Sequence, residues 1–167
     1  DLQLFMKNLR RQYEYRGYDN KLRFFACGEY GSKTLRPHLH IIVFGLKLDD
    51  LVLYKRNFNG DNLYNSDFIS KIWDKGFCVV GDVTWQSCAY VARYIMKKHL
   101  GKDSEIYDIY NIEPEFTLMS RKPGIARQYY EEHKDELFYH DFVSIPTKDG
   151  GKQIYPPPYY EKLFEED

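Results

Sequence analysis

Apolar positions switch from a helical to a strand period within the first 45 residues. Leu2, Phe5, Met6 and Leu9 recur at the three- and four-residue spacing of an amphipathic helix. Asp1 can serve as its N-cap, and Gly17 closes the helix or the loop beyond it. Residues 21–30, KLRFFACGEY, read as a strand ending near Gly28. A short loop with Gly31 and Pro37 follows, and HLHIIVF returns, most simply as an antiparallel hairpin. Leu46 to Asn62 reads as a loop, with turn chemistry from Asn57 through Gly60 to Asp61. Asn65 or Ser66 can cap a helix through Phe68, Ile69, Ile72 and Trp73, stopped by Gly76. Phe77 to Trp85 reads as a third strand, and Ser87 opens a helix through His99 that ends at Gly101.

Beyond Lys102 the periodicity weakens. A turn at Pro123-Gly124 precedes a helix over Arg127 to Phe138, and Pro156-Pro157-Pro158 points to an extended tail. The order helix, strand, strand, helix, strand, helix predicts an α+β fold, a central antiparallel sheet with flanking helices. The expected division is one domain over 1–145 and a proline-rich, acidic tail over 146–167 that packs on it or extends from it. The chain begins at Asp1, immediately inside the first helical pattern, and so reads as a fragment.

Composition narrows the class. A chain of 167 residues with 43% hydrophobic and 29% charged content is long enough to bury a core without staples. Net charge is −1, but it is unevenly spread: Ser87 to Lys102 holds Arg93, Lys97, Lys98 and Lys102 without an acid. Thr117 to Tyr130 holds Arg121, Lys122 and Arg127, again without one. Such patches on a near-neutral body suit a polyanion gripped at one site. The 16 tyrosines and 11 phenylalanines offer rings for a core and for stacking on bases. Three cysteines without a CxxC pair predict a reduced, intracellular protein, and no apolar run approaches the ~20 residues needed to span a bilayer. Cytoplasm is the expected location, with no membrane partner.

Candidate chemistry starts at Arg36 to Gly45, RPHLHIIVFG. Period-two alternation puts His38 and His40 on one face of the strand. Glu29, at the end of the preceding strand, can face the same side. Two imidazoles and a carboxylate suit a divalent ion with open positions: Mg²⁺ or Mn²⁺ beside a phosphate, ferrous iron in an oxygenase, or zinc in a hydrolase. A second constellation lies in AYVARYIMKK, where Tyr90 and Tyr94 stand at i and i+4 on one helical face with Lys97 beside them. Val91, Ala92 and Ile95 are left for the core. A phenol becomes a nucleophile when a cation or metal favours its phenolate, and that chemistry is phosphoryl transfer.

Cys27-Gly28-Glu29-Tyr30-Gly31, Arg36-Pro37-His38-Leu39-His40 and Tyr90 to Lys98 together resemble the HUH endonuclease superfamily. More closely, they resemble the replication initiation proteins of gokushovirus-type microviruses. The likeness continues through Pro114-Glu115-Phe116, Met119 to Ile125 and Tyr159 to Leu163. It implies an HUH/RRM-like sheet with the two-histidine strand in its middle and an apolar first strand that this chain lacks. It also implies a nick in single-stranded DNA at a phage origin, through a 5′-phosphotyrosine that leaves a 3′-OH to prime rolling-circle synthesis.

By position, the resemblance makes His38, His40 and Glu29 the ligands of Mg²⁺ or Mn²⁺. Tyr90 and Tyr94 become the nucleophiles, and Lys97 steadies the phosphate or phenolate. Arg93, Lys98, Arg121 and Lys122 are expected on the DNA. Host helicase and polymerase are the implied partners, in the bacterial cytoplasm. The competing readings are a plasmid or transposon nuclease of the same chemistry, an iron oxygenase, and a non-catalytic RRM-like module with Phe25 and Phe44 as its stacking rings.

Overall fold

A computed structural model describes the chain apart from residues 20, 32, 98–103, 141, 148 and 149, and apart from the side chains of residues 95, 97 and 138. The fold is α+β, as the sequence predicts. It divides into two compact units, Asp1–Leu118 and Met119–Asp167.

The first unit is built on a strand pair. β1 (Arg23–Tyr30) and β2 (Pro37–Phe44) run antiparallel, with Cys27 opposite His40 and Glu29 opposite His38. The alternation within each strand sorts their side chains onto two faces. Phe24, Ala26, Leu39, Ile41 and Val43 meet helix α1 (Leu2–Tyr15), which buries Leu2, Phe5, Met6, Leu9 and Tyr13. This is the larger core, and Phe68 and Ile69 complete it. Each fully buried aliphatic side chain contributes about 1.5–3 kcal/mol. On the other face, Phe25, Cys27, Ile42 and Phe44 pack with Cys88, Val91 and Tyr94 of the segment that follows Thr84.

A third strand, β6 (Phe116–Met119), joins β1 to give the order β2-β1-β6. Among the described residues the histidine strand is therefore at an edge of its sheet, not in the middle. A cleft of about 730 Å³ follows that edge, with β2 on one wall and residues 75–83 on the other. Gly28 is required where β6 closes in, because a Cβ there would lie 2.4 Å from Phe116 Cε1.

Several local expectations change. Leu46 to Asn62 is not all loop: β3 (Val52–Arg56) and β4 (Asn62–Asn65) form a hairpin around the predicted Asn57–Asp61 turn. The strand expected over Phe77 to Trp85 shrinks to β5 (Val80–Gly81), paired to β4. Gly76 and Asp82 flank it closely, and only two residues find ladder partners. Helix α2 (Asp67–Trp73) is capped by Ser66, whose hydroxyl accepts from Ile69 N at 3.1 Å, and it ends at a left-handed Asp74 before Gly76 is reached. Asp1 precedes α1 but makes no side-chain cap bond.

Helix α3 (Trp85–Arg93) begins before Ser87, because Thr84 caps it. Thr84 and Ser87 form a reciprocal capping box, Ser87 N donating to Thr84 Oγ1 at 3.1 Å and Thr84 N to Ser87 Oγ at 2.8 Å. The α-helix then tightens into a 3-10 turn, Tyr94–Lys97, and the stretch to His99 and Gly101 lies outside the described residues. Ala92 is exposed, and Tyr94 takes the buried place beside Val91. Helix α4 (Glu105–Tyr110) buries Tyr107, whose hydroxyl donates to the buried Glu115 carboxylate.

The second unit holds α5 (Arg127–His140), the β7–β8 hairpin (Val143–Thr147 and Gly150–Ile154) and α6 (Pro158–Glu166). Tyr130, Leu137, Tyr160 and Leu163 form its core. The extended tail is thus replaced by a hairpin and a helix. Pro158 sits at the first helical position, where a missing N–H costs nothing. Burial and the nearby Tyr129 and Tyr159 push the Tyr160 phenol up to about 12. Among the described residues no helix is long and apolar enough to cross a membrane.

Candidate active site

The α3 face of the β1–β2 pair carries Cys27, Glu29, His38 and His40 together, as register and alternation require. Glu29 is 7% exposed, and His40 Nε2 hydrogen-bonds its Oε1 at 3.1 Å. The His40 ring stacks on Tyr94, with centroids 4.0 Å apart and planes 15° from parallel. Tyr90 meets Tyr94 edge-on at 5.0 Å and His40 edge-on at 6.2 Å. The Tyr94 hydroxyl donates to the Tyr90 oxygen. A buried carboxylate, an imidazole and two phenols therefore form one connected chain from the sheet outward.

The two tyrosines are not equivalent. Tyr94 is 8% exposed and Tyr90 56%. Burial, then the hydrogen bond with Tyr90 and the negative charge of Glu29, hold the Tyr94 phenol well above its ordinary range. Cys27 is a residue that motif reasoning passed over. Its thiol donates to Val91 O at 3.6 Å, tying α3 to the sheet one turn before Tyr94. Burial, then Glu29, push that thiol up to about 11, so it is a neutral anchor and not a nucleophile. The signal for it was available: Cys27 stands two residues before Glu29 and shares its face.

His38 is exposed, and its ring lies against Gly31, where a Cβ would come within 3.1 Å of Cε1. Among the described residues no three His, Cys, Asp or Glu side chains stand close enough to enclose an ion. The donor types still fit a divalent cation: one carboxylate oxygen and one imidazole nitrogen are in contact, and the second imidazole is on the same face.

Arg93 is exposed in the last turn of α3. Lys97 ends the 3-10 turn, but its side chain is outside the described set, and Lys98 lies outside it altogether. Arg121 and Lys122 belong to the second unit, exposed at a turn in which Arg121 bridges Gly124 and the Lys122–Pro123 bond is cis.

A family model for replication-associated proteins of the ORF2 type matches residues 1–99. The replication-associated protein ORF2 of Spiroplasma virus 4 is 38% identical over 163 residues, covering 98% of this chain and 49% of that protein. VP4 of Bdellovibrio phage phiMH2K, also named a replication-associated protein, is 31% identical over 171 residues, covering 100% of this chain and 52% of that one. ORF4 of Chlamydia phage 1, another replication-associated protein, is 37% identical over 101 residues, 58% of this chain and 25% of its own. The chain thus spans about half the length of the first two curated relatives. No solved structure matches it. With its model covering residues 1–99 and phage relatives aligned along nearly the whole length, the chain belongs to the ORF2-type family of replication-associated proteins.

Proposed function

We propose that this chain carries the nicking and strand-transfer centre of a phage replication initiator, acting on single-stranded origin DNA by HUH-type chemistry. The observation that carries the reading is the connected set Glu29, His40, Tyr94 and Tyr90 on one face beneath and along α3. Carboxylate and imidazole hold a divalent ion, two phenols offer nucleophiles, and the site opens to solvent at Tyr90.

Tyr90 is the first to attack. Its oxygen bonds to the phosphorus, the bond to the 3′-oxygen breaks, and that oxygen takes a proton from water to become a 3′-OH. The phenolic proton leaves to solvent, and the 5′ phosphate stays on Tyr90 as a phosphotyrosine ester. Tyr94, donating to the Tyr90 oxygen, orients it and favours the charge it develops. A later attack from Tyr94 transfers a second strand, and a 3′-OH attacking the first ester rejoins the DNA. Glu29, His40 and His38 would hold Mg²⁺ or Mn²⁺, which supplies charge to polarise the phosphate under attack. Lys97 is assigned to steady that phosphate, and Arg93, Lys98, Arg121 and Lys122 to contact the strand backbone.

A non-catalytic RRM-like module would present Phe25 and Phe44 on an open sheet. Both instead pack with Cys27, Ile42 and Val91 on the α3 face. The phage relatives favour a phage origin over a plasmid or transposon one. The test is covalent labelling of the protein by origin oligonucleotides with Mn²⁺. Loss of label in Tyr90→Phe supports the reading, and an unlabelled wild type rejects it.

A further inference from the structure

The β3-β4-β5 sheet contrasts with the sheet that bears the histidines. Every residue of β3 is exposed, including Val52, Leu53 and Tyr54, and Phe58 in the following turn is wholly in solvent. Tyr54 stands at a break in the β3–β4 register and meets Phe77 edge-on, ring centroids 5.3 Å apart. Lys55 Nζ lies 5.5 Å from the Tyr54 centroid. Arg56 Nε donates to Asn62 Oδ1 at 3.1 Å, which fixes the guanidinium along the hairpin.

The bordering acids are engaged elsewhere. Asp49 pairs with Arg16 at 3.5 Å, Asp50 accepts from Ser66 Oγ at 2.8 Å and from Phe68 N, and Asp61 accepts from Asn57 at 3.1 Å. The outward charge of β3 is therefore that of Lys55 and Arg56. Rings with open faces beside fixed cations match a flexible polyanion with stackable bases. Phe77 also lines the cleft that His38 and His40 line, so the rings continue from the candidate active site within one unit.

We propose that the β3–β4 hairpin, with Phe77, is a second contact for single-stranded DNA, stacking bases of the strand that leads away from the His40–Tyr90 centre. This rests on the nuclease reading for its substrate, but its test is separate.

Binding is measured by fluorescence anisotropy with labelled oligothymidine of about 10 and about 30 nucleotides, in chelator so that no cleavage occurs. The variants are Tyr54→Ala, Phe58→Ala, Phe77→Ala and Lys55→Gln/Arg56→Gln, each checked for wild-type circular dichroism. Single aromatic losses should weaken binding of the longer strand about 5- to 100-fold. The charge variant should flatten the plot of log affinity against log salt by about 0.7 per cation removed. At saturating DNA with Mn²⁺, adduct formation should match wild type. Folded variants that bind both lengths within twofold of wild type would overturn the proposal and leave the hairpin as a protein-docking face. A wild type that forms no adduct but binds through the hairpin would reject the nuclease reading alone.

Discussion

The two faces of the β1–β2 pair are made from alternate residues of the same two strands, yet they do different work. Leu39, Ile41 and Val43 point to α1 and join an apolar core. His38 and His40, one position out of phase, point to the α3 side with Glu29 and Cys27. The apolar face is where burial holds the unit together. The polar face gives up some of that stability to a buried carboxylate, which is tolerable because His40 hydrogen-bonds it. A rigid strand serves both ends: the register that fixes the core also fixes the donors.

Substitutions on the two faces should therefore separate activity from stability. The largest effect is expected at the phenols: Tyr90→Phe should lower adduct formation at least about 10³-fold, the scale of losing a nucleophile. Because Tyr90 is exposed, its urea midpoint should move by no more than about 0.5 kcal/mol equivalent. On the other face, Leu9→Ala should cost about 3 kcal/mol in urea unfolding, since Leu9 is fully buried, with adduct yield per folded molecule unchanged.

Ser66→Ala should cost about 1 kcal/mol, because that hydroxyl caps α2 and donates to Asp50. The smallest effect is the pH dependence of Asp50. Burial raises its carboxyl, but bonds from Phe68 N and Ser66 outweigh burial and hold it below the ordinary value. Its stabilising contribution is thus fully present above the unfolded pKa of ~3.9 and is lost as pH falls through the lower folded value. Urea midpoints of wild type and Asp50→Asn should differ at pH 7 and converge near pH 3.

Strict alternation makes the β1–β2 hairpin and the shared face of Glu29, His38 and His40 legible in the sequence, and helical spacing does the same for the approach of Tyr90 to Tyr94. The unequal burial of the two phenols is not legible, because it depends on how deeply the end of α3 settles over Cys27 and Ile42. The direction of the His38 ring is also illegible, being set by the open space over Gly31. β3 escaped notice because all five of its residues are exposed, so burial imposes no alternation on them. α6 was hidden by three prolines, of which the last begins the helix. Lys97 and Lys98 are assigned from helical phase and resemblance alone.

A denaturing gel of the protein with end-labelled single-stranded origin DNA tests the nicking centre most directly. The gel is run with Mn²⁺ and with chelator, on these 167 residues and on a form extended to the length of the relatives. The expected result is a covalent adduct that requires metal and is strongly reduced by Tyr90→Phe. It should be weakened less by Tyr94→Phe and abolished in the double variant and in His40→Ala. An extended protein that is folded and binds the DNA, yet forms no adduct in any metal, would contradict a nicking centre at Tyr90.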